Sequence, residues 1–211
     1  VLIEKMWEKV MIGPFEVTAH PVDHSSPGAI ALEVEADGKR IFYTGDFRGH
    51  GQLEKLFENM LNRPPKNVDV MLMEGSSFGR TEDEYSYSSE KDVEEGFYRT
   101  IGGAGNIVFI FCAAQNLSRI VSAYRVAIRS NRTFVIDLYT AYILEQLKYM
   151  SERLPRYNSD QIAVKFFKHQ QQALENAGKD EFVNRVIFSG RGIKMETIAN
   201  NPSQYLMLAR A

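Results

Sequence analysis

Cysteine is almost missing from this sequence: Cys112 is the only one in 211 residues. An intrachain disulfide is therefore excluded, and so is a cysteine-based zinc site. This usage fits a reducing cytoplasm. Cys112 lies in the apolar run 107–114 and is expected to pack as a small core residue. That run falls far short of the ~20 apolar residues a membrane helix needs, so no membrane partner is expected. No secretory signal is expected either. Neither sign of charge dominates: 25 basic residues face 27 acidic ones, for a net charge of −2. No global basic field announces nucleic acid, although a local basic groove fits inside a neutral total. What is present is ordinary for a globular chain, with 44% hydrophobic and 25% charged residues, enough to bury a sizeable core.

The pattern along the chain changes once. Residues 1–80 read as strand-rich, with alternating apolar positions at 15–19 and 30–36 and a further strand at 40–44. Asp37-Gly38 between the last two is a strong hairpin signal. Helical spacing follows over 53–61, then the breaker Arg63-Pro-Pro-Lys66, then a buried strand at 68–73. Residues 81–211 begin with an acidic, Ser-rich stretch and then alternate. Helices are expected near 90–101, 117–130, 141–153 and 168–177, and strands at 107–113, 133–137, 163–167, 185–189 and 204–208. Short apolar strands alternating with helices imply a parallel sheet with helices packed on it, an α/β fold.

Two residues carry the most chemical information. His24 sits in Pro21-Val-Asp-His-Ser-Ser-Pro-Gly28 and Asp46 in Tyr43-Thr-Gly-Asp-Phe-Arg48, each just past a strand. An imidazole and a carboxylate at neighbouring strand ends are plausible nitrogen and oxygen ligands for zinc. A carboxylate can also bridge two metals. On spacing alone, a hydrogen-bonded loop histidine and a turn-forming aspartate fit better. Of the other histidines, His20 shares a strand face with the region and is expected in the core or at the surface. His50 and His169 are expected to be exposed. The acidic run Glu82-Asp-Glu84 reads as a solvated face, and Tyr85 and Tyr87 beside it as packing residues. Asn116–Arg119 opens a helix after an apolar strand, a natural anion site, with Arg119 as a bidentate phosphate donor. A solvated helix residue fits Arg119 equally well.

Taken in order, Pro21–Gly28, Tyr43–Arg48, Met73-Glu-Gly-Ser-Ser-Phe-Gly79 and Phe111-Cys-Ala-Ala-Gln-Asn-Leu-Ser-Arg119 resemble the metallo-β-lactamase-fold nucleases that carry a β-CASP domain, such as ribonuclease J and the mRNA 3′-end processing endonuclease. Ile136–Leu144 is similar to the family too. The resemblance implies part of a metallo-β-lactamase αββα sandwich over 1–80 and most of a parallel-sheet β-CASP domain over 81–211. It implies that His24 is a terminal zinc ligand and Asp46 the carboxylate bridging two zincs, acting in catalysis as well. Glu74 resembles the first acidic motif of the β-CASP part, with a catalytic role at the scissile phosphate. Asn116, Ser118 and Arg119 are expected to hold a substrate phosphate.

The family's His-x-His-x-Asp-His motif is absent from these residues. The chain is therefore expected to be an internal piece of a longer protein and inactive alone, because catalytic zinc keeps three protein ligands. The expected function of the parent is zinc-dependent phosphodiester hydrolysis of nucleic acid, RNA favoured over DNA, in RNA processing or decay. A small-substrate hydrolase of the same fold and a non-catalytic scaffold are the alternatives. The first lobe is expected to leave an apolar face open, which would favour self-association.

Overall fold

A computed structural model describes residues 6–75 and 89–210. The acidic run 82–84, Tyr85, Tyr87 and the 76–79 end of the third motif lie outside the described residues. The chain divides into two compact units, Val1–Glu90 and Lys91–Ala211, with the boundary ten residues beyond the expected one. The fold is α/β throughout. Among the described residues, no helix is long and apolar enough to cross a membrane.

The first unit is a five-stranded sheet in the order β1 (Lys9–Ile12), β2 (Phe15–Pro21), β3 (Ile30–Ala36), β4 (Lys39–Tyr43), β5 (Val70–Leu72). The first four strands are antiparallel and β5 runs parallel to β4. Asp37 and Gly38 both adopt positive φ, 51° and 72°, as a two-residue hairpin turn with the right twist requires. Helix α1 (Glu54–Asn62) follows β4. Its Met60 joins Val22, Ala31 and Phe42 in a small core on one sheet face. At β4 and β5 the opposite face is open. Ile41 and Tyr43 pair with Val70 and Leu72, and these four are 40%, 48%, 48% and 51% exposed.

The second unit is a parallel sheet of five strands, ordered β6 (Val108–Phe111), β10 (Tyr205–Ala209), β7 (Thr133–Asp137), β8 (Ile162–Lys165), β9 (Gly192–Ile193). Its central strands are buried on both faces, which explains their unbroken apolar runs. Phe134, Ile136, Ile162, Val164, Leu206 and Leu208 point to one face, where α2 (Glu90–Gly102), α3 (Leu117–Arg129), α4 (Leu138–Gln146), α5 (Lys168–Asn176) and α6 (Asp180–Phe188) contribute to the larger core. Val135, Ala163, Tyr205 and Met207 point to the other face and meet Ile198 of α7 (Met195–Asn200). Cys112 is half-buried against the larger core.

Three expected elements differ. The strand expected to be buried at 68–73 is the short β5, and its Val70, Met71 and Leu72 are all exposed, because among the described residues β5 pairs only with β4 at the edge of the sheet. The stretch 185–189 is not a strand but the end of α6. Phe182, Val183 and Val186 are buried at helical spacing, whereas Ile187 and Phe188 are 46% and 85% exposed. A short apolar run does not distinguish strand from helix by itself. Helix α4 starts and ends earlier than 141–153. The Asp137 carboxylate accepts from the Thr140 N–H at 2.7 Å and so caps the first turn. Beyond Leu147 the apolar face is lost, with Tyr149 88% exposed.

Candidate metal and phosphate site

Strands β2, β4 and β5 run in one direction, because β3 between β2 and β4 is antiparallel to both. Their C-terminal ends therefore lie along one edge of the first sheet. The loops that leave this edge carry His24, Asp46 and Glu74. Hydrogen bonds tie these loops together. The Arg48 N–H donates to the Asp23 carbonyl at 2.8 Å, joining the residue before His24 to the second residue after Asp46. The Phe47 N–H, directly after Asp46, donates to Glu74 Oε1 at 3.3 Å. The Glu74 N–H donates to the buried Thr44 hydroxyl at 3.3 Å, and the Thr44 N–H to the Leu72 carbonyl at 2.9 Å.

Gly45 makes this convergence possible. Its φ is +58°, and a Cβ there would stand 2.7 Å from the Ile30 carbonyl oxygen. Only glycine turns the chain so close to β3 without strain. Phe47 then stacks on Phe57 of α1 at 5.8 Å, which braces the Asp46 loop from the helix side.

The donor set fits a metal only in part. His24 is half-buried and Asp46 exposed. His24 Nδ1 accepts from the Ser26 N–H at 3.4 Å. Ligation through Nε2 places the ring proton on Nδ1 and gives up that bond, a small loss at such a length. Among the described residues, no group of three His, Cys, Asp or Glu side chains is arranged to hold a metal ion. His24 and Asp46 supply two donors, and a complete centre needs more.

A charged group absent from the sequence reading lies beneath these loops. The Asp23 side chain is 1% exposed, and the Arg48 Nε stands 3.6 Å from its Oδ1. Glu90 is 4% exposed, with its Oε2 3.9 Å from Arg48 Nη1. Burial pushes the Asp23 carboxyl above its ordinary value, and the Arg48 charge and the Gly51 N–H draw it back only in part. The signal was in the motifs themselves, since Asp23 precedes His24 and Arg48 ends the Asp46 motif.

His20 takes no part in these loops. It is largely buried, bonded to Glu33 Oε2 at 3.2 Å and edge-on to Trp7 and Phe42. His50 is exposed, and its carbonyl accepts from the Glu90 N–H at 3.0 Å.

In the second unit, the expected phosphate corner opens α3. Asn116 Oδ1 accepts from the Arg119 N–H at 3.1 Å, so the side chain caps α3. Ser118 is buried at 8% exposure. The Arg119 guanidinium lies 5.6 Å from the centre of the Phe97 ring. The space at this end of the sheet is instead a cleft of about 850 Å³ at the C-terminal ends of β6, β7, β8 and β10. Ligands in open parallel sheets bind outside the strand C-termini. Gln115, His169, Gln170 and Arg210 line it above Asp137. Asp137 accepts from Gln170 Nε2 at 2.9 Å and from Arg210 Nε at 2.8 Å. Arg210 also lies 4.8 Å from the Tyr139 ring centre, within cation–π range.

No family model matches this chain, and no curated protein does. A solved structure of a protein of unknown function from Enterococcus faecalis V583 is similar in fold, with a TM-score of 0.70 at 20% identity over 97% of this chain. The chain spans 44% of that protein's length.

Proposed function

We propose that this chain is part of a zinc-dependent phosphodiesterase acting on nucleic acid, RNA favoured over DNA, of the metallo-β-lactamase and β-CASP class. The observation that carries the reading is the gathering of the His24, Asp46 and Glu74 loops at one sheet edge, joined by the Arg48–Asp23 and Phe47–Glu74 hydrogen bonds. The sequence resemblance supports it through these three motifs and a fourth at Phe111–Arg119.

In this reading His24 and Asp46 donate to zinc, with the remaining ligands drawn from the rest of a longer protein. When bound, zinc supplies Lewis-acid activation of water and of a phosphoryl oxygen. The chain's own residues do the rest. Gly45 and Phe47 fix where the Asp46 carboxylate stands. Glu74, oriented by the Phe47 N–H, accepts or returns a proton at the scissile phosphate. On the second unit, substrate contacts fall to Gln115, His169 and Arg210 around the cleft rather than to Asn116, Ser118 and Arg119.

The test is zinc content and RNA cleavage by the whole protein, compared with His24→Ala and Asp46→Ala. Each variant is expected to lose bound zinc and turnover while remaining folded. A small chromogenic phosphodiester in parallel separates a polynucleotide enzyme from a small-substrate hydrolase. Wild-type protein with neither zinc nor turnover would favour a scaffold and end the reading.

A further inference from the structure

We infer that Asp23 and Arg48 are positioning residues, a buried clasp that sets the His24 loop against the Asp46 loop. The inference rests on the metal-site reading above and extends it to residues that touch neither metal nor substrate in that reading.

The pair is a poor stability device. Withdrawing two charges from water is compensated only when their geometry is good and further hydrogen bonds satisfy them. Here Arg48 Nε stands 3.6 Å from Asp23 Oδ1, longer than an ordinary hydrogen bond, and the Gly51 N–H and the Arg48 charge offset the burial of the carboxyl only in part. Replacing a buried ion pair by apolar residues of similar volume is often neutral for a fold. What the pair does supply is registry, the best-attested use of buried ions. Arg48 engages Asp23 twice, through its guanidinium and through its backbone N–H at 2.8 Å. One point of contact would let the loops pivot; two, with Glu90 behind the guanidinium at 3.9 Å, restrain the pivot. Gly51 closes the arrangement. A Cβ at Gly51 would overlap both Asp23 Oδ2 and the Arg48 guanidinium, so the chain there is moulded to the ion pair. Partners lying behind metal ligands commonly set ligand orientation and thereby affinity.

The test uses the whole protein, with Co²⁺ titration followed by visible absorption, zinc content and RNA cleavage. Gly51→Ala and Asp23→Asn are each expected to weaken metal binding by roughly 10–100-fold. They should alter the Co²⁺ spectrum and lower kcat more than they raise KM. Arg48→Lys, which keeps the charge, is expected to fall between them and wild type. The double variant Asp23→Asn/Arg48→Gln removes both charges of the clasp. It should recover most of the thermal stability while metal binding stays weak, a separation that a purely structural role would not produce. Lys39→Ala, which breaks the exposed Lys39–Asp69 pair of the same sheet, should leave metal binding unchanged. Wild-type metal affinity and spectrum in folded Gly51→Ala and in the double variant would overturn the clasp alone. Absence of bound metal in the wild-type protein would overturn the metal-site reading first, and the clasp with it.

Discussion

Replacing Arg132 by methionine tests how the second sheet is held at its N-terminal edge. Arg132 is 6% exposed and directly precedes β7. Its guanidinium donates to the Asn106 carbonyl at 2.9 Å, to the Tyr205 carbonyl at 3.2 Å and to the Ala104 carbonyl. One side chain thus pins the starts of β6, β7 and β10. Methionine keeps most of the buried stem and removes only the donors. Residues 104 and 106 are half-exposed and exposed, so water can replace the donor there, at about 1 kcal/mol each. Tyr205 is buried, and its carbonyl loses a charge-assisted bond with no such replacement, about 1.5–3 kcal/mol. The expected cost is about 3–5 kcal/mol in all, a fall in Tm of roughly 10–20 °C for a unit of this size. Hydrogen exchange read by mass spectrometry resolves where it falls. Amides of 108–111 and 205–209 should exchange faster by about two to four powers of ten, while those of β2 and β3 stay unchanged. A cost below about 1 kcal/mol would refute the reasoning, since it would mean that all three carbonyls find other partners.

Asn116→Ala should cost the second unit about 1 kcal/mol, the worth of a helix cap, and leave RNA affinity of the whole protein unchanged. A loss of RNA affinity without loss of stability would return the phosphate role to that corner. In the first unit, the hydrogen-bonded Lys39 ammonium, then the Arg40 N–H, hold the Asp69 carboxyl below its ordinary 3.8. A carboxyl depressed by folding contributes stability above its unfolded value and loses that contribution as pH falls through the folded value. Asp69→Asn should therefore destabilise this unit at pH 7, as read by Trp7 fluorescence, and have no effect once the pH lies below the folded value. A cost independent of pH would exclude the carboxylate as its source.

Much of the local structure was legible in the sequence because its causes are local. Asp37-Gly38 has two residues that accept positive φ, so the hairpin between β3 and β4 could be read directly. The apolar runs at 133–137 and 204–208 are unbroken because both faces of those strands are buried. The loops bearing His24, Asp46 and Glu74 could be located as strand ends. The run 185–189 could not be assigned, because a few apolar residues in a row satisfy either period until a surface is chosen for them. The start of helix α4 was hidden because Asp137 is both the last residue of β7 and the cap of the helix, with no loop between them.

The alternation of strands and helices, the hairpin turn and the residue types able to bind metal or phosphate could be read from the chain alone, since they follow from side-chain chemistry and short-range spacing. That β2, β4 and β5 end at one edge, that Asp23 meets Arg48 beneath it, and that Arg210 reaches Asp137 across 73 residues is seen only in three dimensions. Those contacts depend on strand order and crossover direction. They join residues distant along the chain, and no local propensity encodes them.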